Sequence, residues 1–161
     1  MDNLTETKLT SEKIYSGCIL DFYRDTVRLP NGGTAPRELS RHVGAVCIVP
    51  LLDDGRVIVE RQFRYPVNEV ITEIPAGKRD SRDEAPEAAA RRELREETGL
   101  RLTAITHVLP PAACTVGIGD ERTVCVFGTA EGTFRPSADP MEEIESAWYT
   151  RAQVRALHET D

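Results

Sequence analysis

The amino-acid sequence predicts a mixed fold of α and β elements around one core, in an α+β or layered α/β arrangement, with an antiparallel β hairpin layer at the N-terminus. Two observations lead to this: strand-like runs fill most of the chain, and one long helical pattern separates two groups of them. The 161 residues are 40% hydrophobic and 29% charged, which is typical of a globular domain. We expect residues 1–40 to form the N-terminal β region and residues 41–161 the main domain.

The N-terminal region reads as a hairpin. Two strand-like runs, KIYSGCILDFYRDTVRLP (13–30) and TAPRELSRH (34–42), flank Asn31-Gly32-Gly33. Asn-Gly between such runs is a strong signal for a tight turn. The sequence therefore predicts an antiparallel pair before the main domain.

Three further runs predict strands before the helix. GAVCIVPLL (44–52) is almost continuously apolar, as in a strand that is buried on both faces. The turn residues Asp53-Asp54-Gly55 then lead into RVIVERQFRY (56–65), which predicts a second hairpin. EVITEIPAG (69–77) alternates in polarity and ends in a Pro-Ala-Gly loop.

The long helix is expected from Pro86 to Gly99. Proline suits the first helical turn, and glycine is a good C-terminal cap. Strands are expected next at RLTAITHVL (101–109) and ERTVCVFGTA (121–130). A loop rich in Pro, Ser and Asp then leads to EEIESAWYT (142–150), and a helix is expected at RAQVRALHE (151–159).

Composition excludes several classes of function. The formal net charge of -7 argues against nonspecific binding to nucleic acid. No apolar run approaches the roughly 20 residues that span a bilayer, and the N-terminus lacks the pattern of a secretory signal, so we expect a cytoplasmic location. The four cysteines have no CxxC spacing, which argues against a zinc site and against a disulfide framework.

The helix carries an unusual cluster of carboxylates in RRELREETGL (91–100). Glu93 and Glu97 are four residues apart on one face without a basic local partner, and Glu96 lies on the flank of that face. A solvated charged face is one interpretation. The other is a divalent cation site, because Mg²⁺ binds carboxylates together with substrate phosphates.

Gly77, Glu84 and RRELREETGL together resemble the Nudix box, the signature of hydrolases that act on nucleoside diphosphates linked to another moiety. The match holds at every fixed position from Glu84 to Leu100, but six residues instead of five separate Gly77 from Glu84. We interpret this as a one-residue insertion in the loop KRDSRD (78–83).

The resemblance implies a Nudix-type α/β/α sandwich with a mixed central sheet. It also implies Mg²⁺, with Mn²⁺ as the alternative, and an orienting role for Arg92 and Glu84. The implied metal-binding residues are Ala76, Glu93, Glu96 and Glu97.

The segment from Gly44 to Lys78 resembles the ADP-ribose pyrophosphatase branch, which carries Gln-(Phe/Tyr)-Arg-Tyr before Glu-(Ile/Leu)-Pro-Ala-Gly. In that branch the N-terminal hairpin exchanges between the subunits of a homodimer and contributes to the adenine pocket. Phe63 itself is expected to pack in the core, which is the structural interpretation of an aromatic residue in this strand. The implied substrate-binding residues are Arg37, Arg64, Glu73 and Glu121.

A late-loop glutamate is also implied as a catalytic base or metal helper, and Glu142 is preferred over Glu143 and Glu145. With Glu97 and Arg92, Glu142 and Glu143 complete the expected catalytic residues. The expected reaction is Mg²⁺-dependent hydrolysis of ADP-ribose to AMP and ribose 5-phosphate. The alternatives are another nucleotide sugar, such as GDP-mannose, and a non-catalytic Nudix regulator that senses ADP-ribose.

Overall fold

The computed structural model of the chain describes residues 4–18 and 20–158. The described residues form two units, one made of 4–43 and 112–122 and the other of 44–111 and 123–158. The division at residue 40 stays a prediction. Ile19, residues 1–3 and residues 159–161 lie outside the described residues.

The first unit holds an antiparallel sheet of three strands in the order β1-β2-β3. Its strands are β1 (Thr7–Ser16), β2 (Asp21–Arg28) and β3 (Thr34–Arg41), and the two-residue strand β9 (Ala112–Ala113) belongs to the same unit. The predicted turn between β2 and β3 is confirmed. Gly32 adopts a φ of 87°, which suits glycine, and the Gly33 N–H donates to Asn31 Oδ1 at 3.0 Å.

The first predicted run is two strands, not one. The chain turns after β1, and the Gly17 N–H donates to the carbonyl of Leu20 at 3.0 Å. The absence of a side chain matters at Gly17, because a Cβ there would lie 2.7 Å from Cε1 of Tyr15. The run was predicted as continuous because its hydrophobic residues extend across this turn.

The second unit contains the remaining elements. They are β4 (Ala45–Pro50), β5 (Val57–Arg64), β6 (Glu69–Glu73), β7 (Ala76–Lys78), α1 (Pro86–Thr98), β8 (Arg101–Val108), β10 (Arg122–Glu131), β11 (Ile144–Tyr149) and α2 (Arg151–His158). The order β7-β4-β10-β8 forms a mixed sheet, because β4 and β10 are parallel while the outer pairs are antiparallel. A second, antiparallel sheet has the order β11-β5-β6.

The predicted second hairpin is wrong, because β4 and β5 lie in different sheets. One isolated antiparallel β-bridge, between Leu51 and Val57, closes the turn at Gly55. The Leu51 N–H donates to the carbonyl of Gly128 at 2.7 Å, so the end of the first strand stays with β10. Strand β4 also has one fully buried face, with Val46, Ile48 and Pro50, and one half-buried face, so its apolar run does not mean full burial on both sides.

Helix α1 begins and ends where the sequence predicts. Ala85 caps it in an extended conformation without a side-chain hydrogen bond, and Pro86 starts the first turn. Gly99 ends it with a φ of 77°, and its N–H donates to the carbonyl of Arg95. The helix lies against β4, β7 and β8.

The hydrophobic core of the second unit lies between α1 and the mixed sheet. Ala90 and Leu94, which the helical spacing places on one stripe, are fully buried. The core residues are Val46, Ile48, Ile58, Ala89, Ala90, Leu94, Leu100, Leu102, Val124, Val126 and Ala130. This packing fixes α1 on the sheet and so determines which face of the helix stays open.

Candidate active site

A cleft of about 560 Å³ opens beside the second half of α1, between β7 and the loop before β11. It collects most of the predicted catalytic and metal-binding residues: Ala76, Arg92, Glu93, Glu96, Glu97 and Glu142. The packing of α1 and the position of β7 bring these groups together from three separate parts of the chain.

Arg92 joins several acidic groups along the rim of this cleft. Its Nε and Nη2 donate to the two oxygens of Glu84, each at 3.1 Å. Its Nη1 donates to Glu93 at 2.8 Å and to Glu96 at 3.1 Å. Glu93 therefore has a local partner after all, the adjacent arginine, which spacing by three or four residues does not reveal.

The inserted residue before Glu84 is accommodated by Arg79. The Arg79 guanidinium donates to the carbonyl of Arg82 at 2.6 Å and to the carbonyl of Glu84 at 2.8 Å. The Glu84 side chain in turn accepts the N–H of Asp80 at 2.7 Å. These contacts close the longer loop while Glu84 still reaches Arg92. The pKa of Glu84 is lowered, mainly by the hydrogen bond from Arg92 and then by the hydrogen bond from the Asp80 N–H.

Glu97 is the most unusual carboxylate of the cleft. It is only 7% exposed, so it does not lie on an exposed helix face as the helical pattern suggests. Its Oε2 has no hydrogen-bond partner within the part of the chain that the structure describes. Burial, with the nearby charges of Glu60 and Glu93, raises the pKa of Glu97 to about 9, although a backbone hydrogen bond from Ala76 opposes this.

Glu93 lies directly over Gly77, the first residue of the box. A Cβ at position 77 would be 2.1 Å from Cδ of Glu93, so no other residue type fits there without moving the carboxylate. Burial raises the pKa of Glu93, and the Arg92 hydrogen bond opposes this. The glycine therefore leaves the space in which Glu93 turns toward the cleft.

Sequence reasoning missed Glu60, a buried carboxylate on β5. It is 3% exposed and accepts a hydrogen bond from Ser146 Oγ at 3.0 Å. Burial raises the pKa of Glu60 to about 7. A signal was present, because the alternation of β5 places Glu60 on the same face as the buried Ile58.

Two predicted substrate-binding residues pair with each other. Arg64 Nε donates to Glu73 Oε1 at 2.8 Å across the β5–β6 pair. That hydrogen bond is the largest cause that raises the pKa of Arg64, and the charges of Glu97 and Glu142 contribute. The Arg64 side chain is 40% exposed, so its guanidinium remains open to solvent although it pairs with Glu73.

The three late-loop glutamates are in different surroundings. Glu142 lines the cleft, and its charge raises the pKa of Glu60, Glu93 and Glu97. Glu143 lines a neighbouring pocket of about 500 Å³ instead. Glu145 lines that pocket too and pairs with Arg61 at 3.0 Å.

Two other predicted substrate-binding residues belong to the first unit. Arg37 donates to Glu6 Oε2 at 3.0 Å and remains 46% exposed. Glu121 lies 3.8 Å from Nδ1 of His42. Their substrate-binding role stays a prediction.

The expected core position of Phe63 is wrong. Phe63 is 51% exposed and Tyr65 is 83% exposed. Phe63 shares its strand face with Val59, which is buried, and with Arg61, which is exposed, so burial on this face ends before the aromatic residues begin. Phe63 instead lines the neighbouring pocket.

The residues of the cleft fit a divalent cation. No group of three His, Cys, Asp or Glu side chains stands at metal-ligand spacing within residues 4–18 and 20–158. The unpartnered Oε2 of Glu97, the space above Gly77 and the excess of carboxylates nevertheless match the oxygen donors that Mg²⁺ prefers. The residues that would hold it are Ala76, Glu93, Glu96 and Glu97.

This cluster predicts that the cation-free chain loses stability as the pH rises. The pKa of Glu60 is about 7 and that of Glu97 about 9, both above the ordinary value of 4.5. Their contribution to the free energy of unfolding is complete below about pH 4.5 and is lost as the pH rises through the folded-state values, so the free energy of unfolding should fall by several kcal/mol between pH 5 and 9. Urea unfolding with a chelator at pH 5, 7 and 9 measures this loss.

The matched control is the double variant Glu60→Gln, Glu97→Gln, which should show a much smaller slope between pH 5 and 9. Excess Mg²⁺ should also reduce the slope. A flat profile for the unaltered chain in chelator would contradict the prediction.

Comparison with known proteins identifies the family. The chain matches the sequence profile described as NUDIX domain over residues 41–161. An ADP-ribose pyrophosphatase of Bacillus subtilis (strain 168) is 43% identical over 108 residues, which are 67% of this chain and 58% of that protein. An ADP-ribose pyrophosphatase of Mycobacterium tuberculosis (strain ATCC 25618 / H37Rv) is 36% identical over 149 residues, 91% of this chain and 71% of that protein.

A solved structure described as an ADP compounds hydrolase has a TM-score of 0.81 at 22% identity, covering 99% of this chain and 86% of that chain. This likeness confirms the predicted α/β/α fold with its mixed sheet and N-terminal antiparallel layer. The chain belongs to the NUDIX family. The relatives confirm the predicted resemblance to the ADP-ribose pyrophosphatase branch, and the match spans less than two thirds of the Bacillus subtilis protein.

Proposed function

We propose that this chain hydrolyses the pyrophosphate bond of ADP-ribose in a reaction that depends on Mg²⁺. Water adds to one phosphorus, the bridging P–O bond breaks, and the products are AMP and ribose 5-phosphate. The names of the two bacterial relatives support the choice of substrate. The observation that carries the proposal is the buried carboxylate of Glu97, whose Oε2 is unpartnered among the described residues and lies in a cleft lined by further acids.

The role of Arg92 in this proposal is to orient the acids. It contacts both oxygens of Glu84 and one oxygen each of Glu93 and Glu96, so four fixed hydrogen bonds restrict three side chains. Such contacts hold metal-binding carboxylates in place. When bound, a divalent cation neutralises charge on the diphosphate and lowers the pKa of the attacking water.

We assign substrate contacts to Arg64. Its guanidinium is a planar, permanently charged group that suits a phosphate, and the charges of Glu97 and Glu142 act on it. Glu73 holds it through the hydrogen bond at 2.8 Å. Glu142, which lines the cleft and is exposed, is our candidate for accepting the proton of the attacking water.

A coupled phosphatase assay tests the proposal. Alkaline phosphatase releases inorganic phosphate from AMP and ribose 5-phosphate, whose phosphates are monoesters, but not from the intact diphosphate. We expect release from ADP-ribose with Mg²⁺ or Mn²⁺ and none with a chelator. GDP-mannose and other nucleotide sugars form the comparison panel, and a faster rate on one of them would replace ADP-ribose as the substrate.

The panel also separates the hydrolase from a non-catalytic regulator. A regulator would bind ADP-ribose in calorimetry and release no phosphate with either metal. The retained acids of the box support the hydrolase, because binding alone does not need a cation cluster.

A homodimer in the cytoplasm is part of the proposal. Strand β1 lies at the edge of its sheet and exposes all ten of its residues, as a surface available to a second copy would. Size-exclusion chromatography with light scattering tests the dimer, and cell fractionation tests the location. No helix in the described ranges is long and apolar enough to cross a membrane.

A further inference from the structure

We propose that Glu60, on β5, is a further acidic residue that holds the divalent cation of this cleft. It lies outside the box, on the sheet β11-β5-β6, whereas the helical acids come from α1. The inference rests on the proposed function, since it assigns a further residue to the same cation.

The position of Glu60 has no packing explanation. It shares a strand face with Ile58, which is fully buried, and is itself only 3% exposed. Transferring a carboxylate to such a place is costly unless a positive charge or several hydrogen bonds compensate. A hydrophobic residue would serve the core better at this position.

The neighbours of Glu60 do not supply that compensation. Ser146 lies opposite it in the β5–β11 register and donates one neutral hydrogen bond at 3.0 Å. Arg64 is the positive charge that acts on it, and that guanidinium already binds Glu73. The charges of Glu73 and Glu142 act against its ionised form.

Glu97 supplies an independent observation. It approaches from α1, is more than nine-tenths buried, and carries an oxygen without a partner among residues 4–18 and 20–158. Among the charges that raise its pKa, that of Glu60 comes first. Helix α1, which carries Glu97, also lies against β11, and Ser146 of β11 is paired with Glu60. Two buried carboxylates therefore lie on neighbouring elements, and a divalent cation with oxygen ligands would offset both charges.

Binding of Mn²⁺, measured by electron paramagnetic resonance, tests this assignment without reference to activity. In Glu60→Gln the amide keeps the size of the side chain and the acceptor for Ser146 but removes the charge. We expect its Kd for Mn²⁺ to rise by about 10- to 100-fold, the usual effect of removing a group that supports a metal site. Ser146→Ala, which keeps the charge but frees the carboxylate, should raise the Kd less.

The matched control is Glu131→Gln. Glu131 is an exposed glutamate on β10 that pairs with Arg101 on β8, and its substitution should leave the Kd for Mn²⁺ unchanged. Thermal unfolding gives a second measurement. Cation-free Glu60→Gln should be at least as stable as the unaltered chain at pH 8, and Mg²⁺ should raise its Tm less. If Glu60 had only a structural role, Glu60→Gln would instead lower the Tm and leave the rise in Tm caused by Mg²⁺ unchanged.

Unchanged Mn²⁺ affinity in Glu60→Gln, with normal binding by the unaltered chain, would overturn the role of Glu60 and leave the proposed function intact. If that variant does not fold, unchanged affinity in Ser146→Ala overturns it. Absence of Mn²⁺ binding by the unaltered chain would overturn this role together with the cation dependence of the proposed function.

Discussion

Glu97→Gln is expected to lower the turnover of ADP-ribose by about 1000-fold or more, the upper range for losing one group that stabilises the transition state. The amide has the same size and can still accept the N–H of Ala76, so the fold should remain intact. What is lost is the negative charge that a bound cation requires. The coupled phosphatase assay at saturating Mg²⁺ measures the change in kcat.

The burial of Glu97 adds a second expected result for the same variant. Because Glu97 is 7% exposed and Oε2 lacks a partner within the described residues, the cation-free fold disfavours the ionised carboxylate and must keep it protonated at pH 8, at a cost in stability. Glu97→Gln should therefore unfold at an equal or higher temperature than the unaltered chain in chelator at pH 8. Loss of activity with retained stability distinguishes a functional acid from a structural one.

Glu87→Gln is the matched control, because Glu87 is an exposed glutamate in the first turn of the same helix. It should keep turnover within about twofold, as surface substitutions away from a site usually do. Near-normal Mg²⁺-dependent activity in Glu97→Gln would contradict the assignment of the whole cleft.

Arg92→Lys is expected to lower kcat by about 10- to 100-fold although it keeps the positive charge. A guanidinium presents five donors in a fixed plane, and Arg92 uses them on Glu84, Glu93 and Glu96 at once. A lysine ammonium cannot reach all three carboxylates with fixed geometry. The effect should therefore appear in kcat and in Mn²⁺ affinity more than in the KM for ADP-ribose.

Stability should fall as well, because Arg92→Lys leaves part of the Glu84 and Glu93 carboxylates without a partner. Arg92 is 25% exposed, so solvent screens part of the lost interaction. We expect the free energy of unfolding, measured with urea, to fall by about 1–2 kcal/mol. Arg95→Lys, an exposed arginine on the same helix, is the control and should change neither kcat nor stability. Equal kcat values for Arg92→Lys and the unaltered chain would contradict the orienting role.

The helix and its acids could be predicted because local rules determine them. Pro86 and Gly99 place the ends of α1, and spacing by four places Glu93 and Glu97 on one face. The turn at Gly32 follows from the glycine preference for positive φ. Each of these features depends on residues within a few positions of one another.

Features that depend on distant residues were mispredicted or missed. The turn at Gly55 resembles a hairpin turn, but β4 pairs with β10, where Ala45 lies opposite Thr123. Phe63 is apolar yet exposed, because the tertiary fold decides where along β5 the buried face ends. Glu60 was missed, because its burial depends on how β5 packs in the tertiary fold.

The box, its helix and the carboxylates on that helix could therefore be read from the amino-acid sequence, because they depend on the order and spacing of adjacent residues. Only the tertiary structure decided how deeply Glu97 is buried and that Arg79 closes the longer loop so that Glu84 reaches Arg92. It also buried Glu60 on β5, where its charge acts on Glu97. Burial and charge proximity arise from packing elements far apart in the chain, and these two quantities control the pKa values and the binding of a cation.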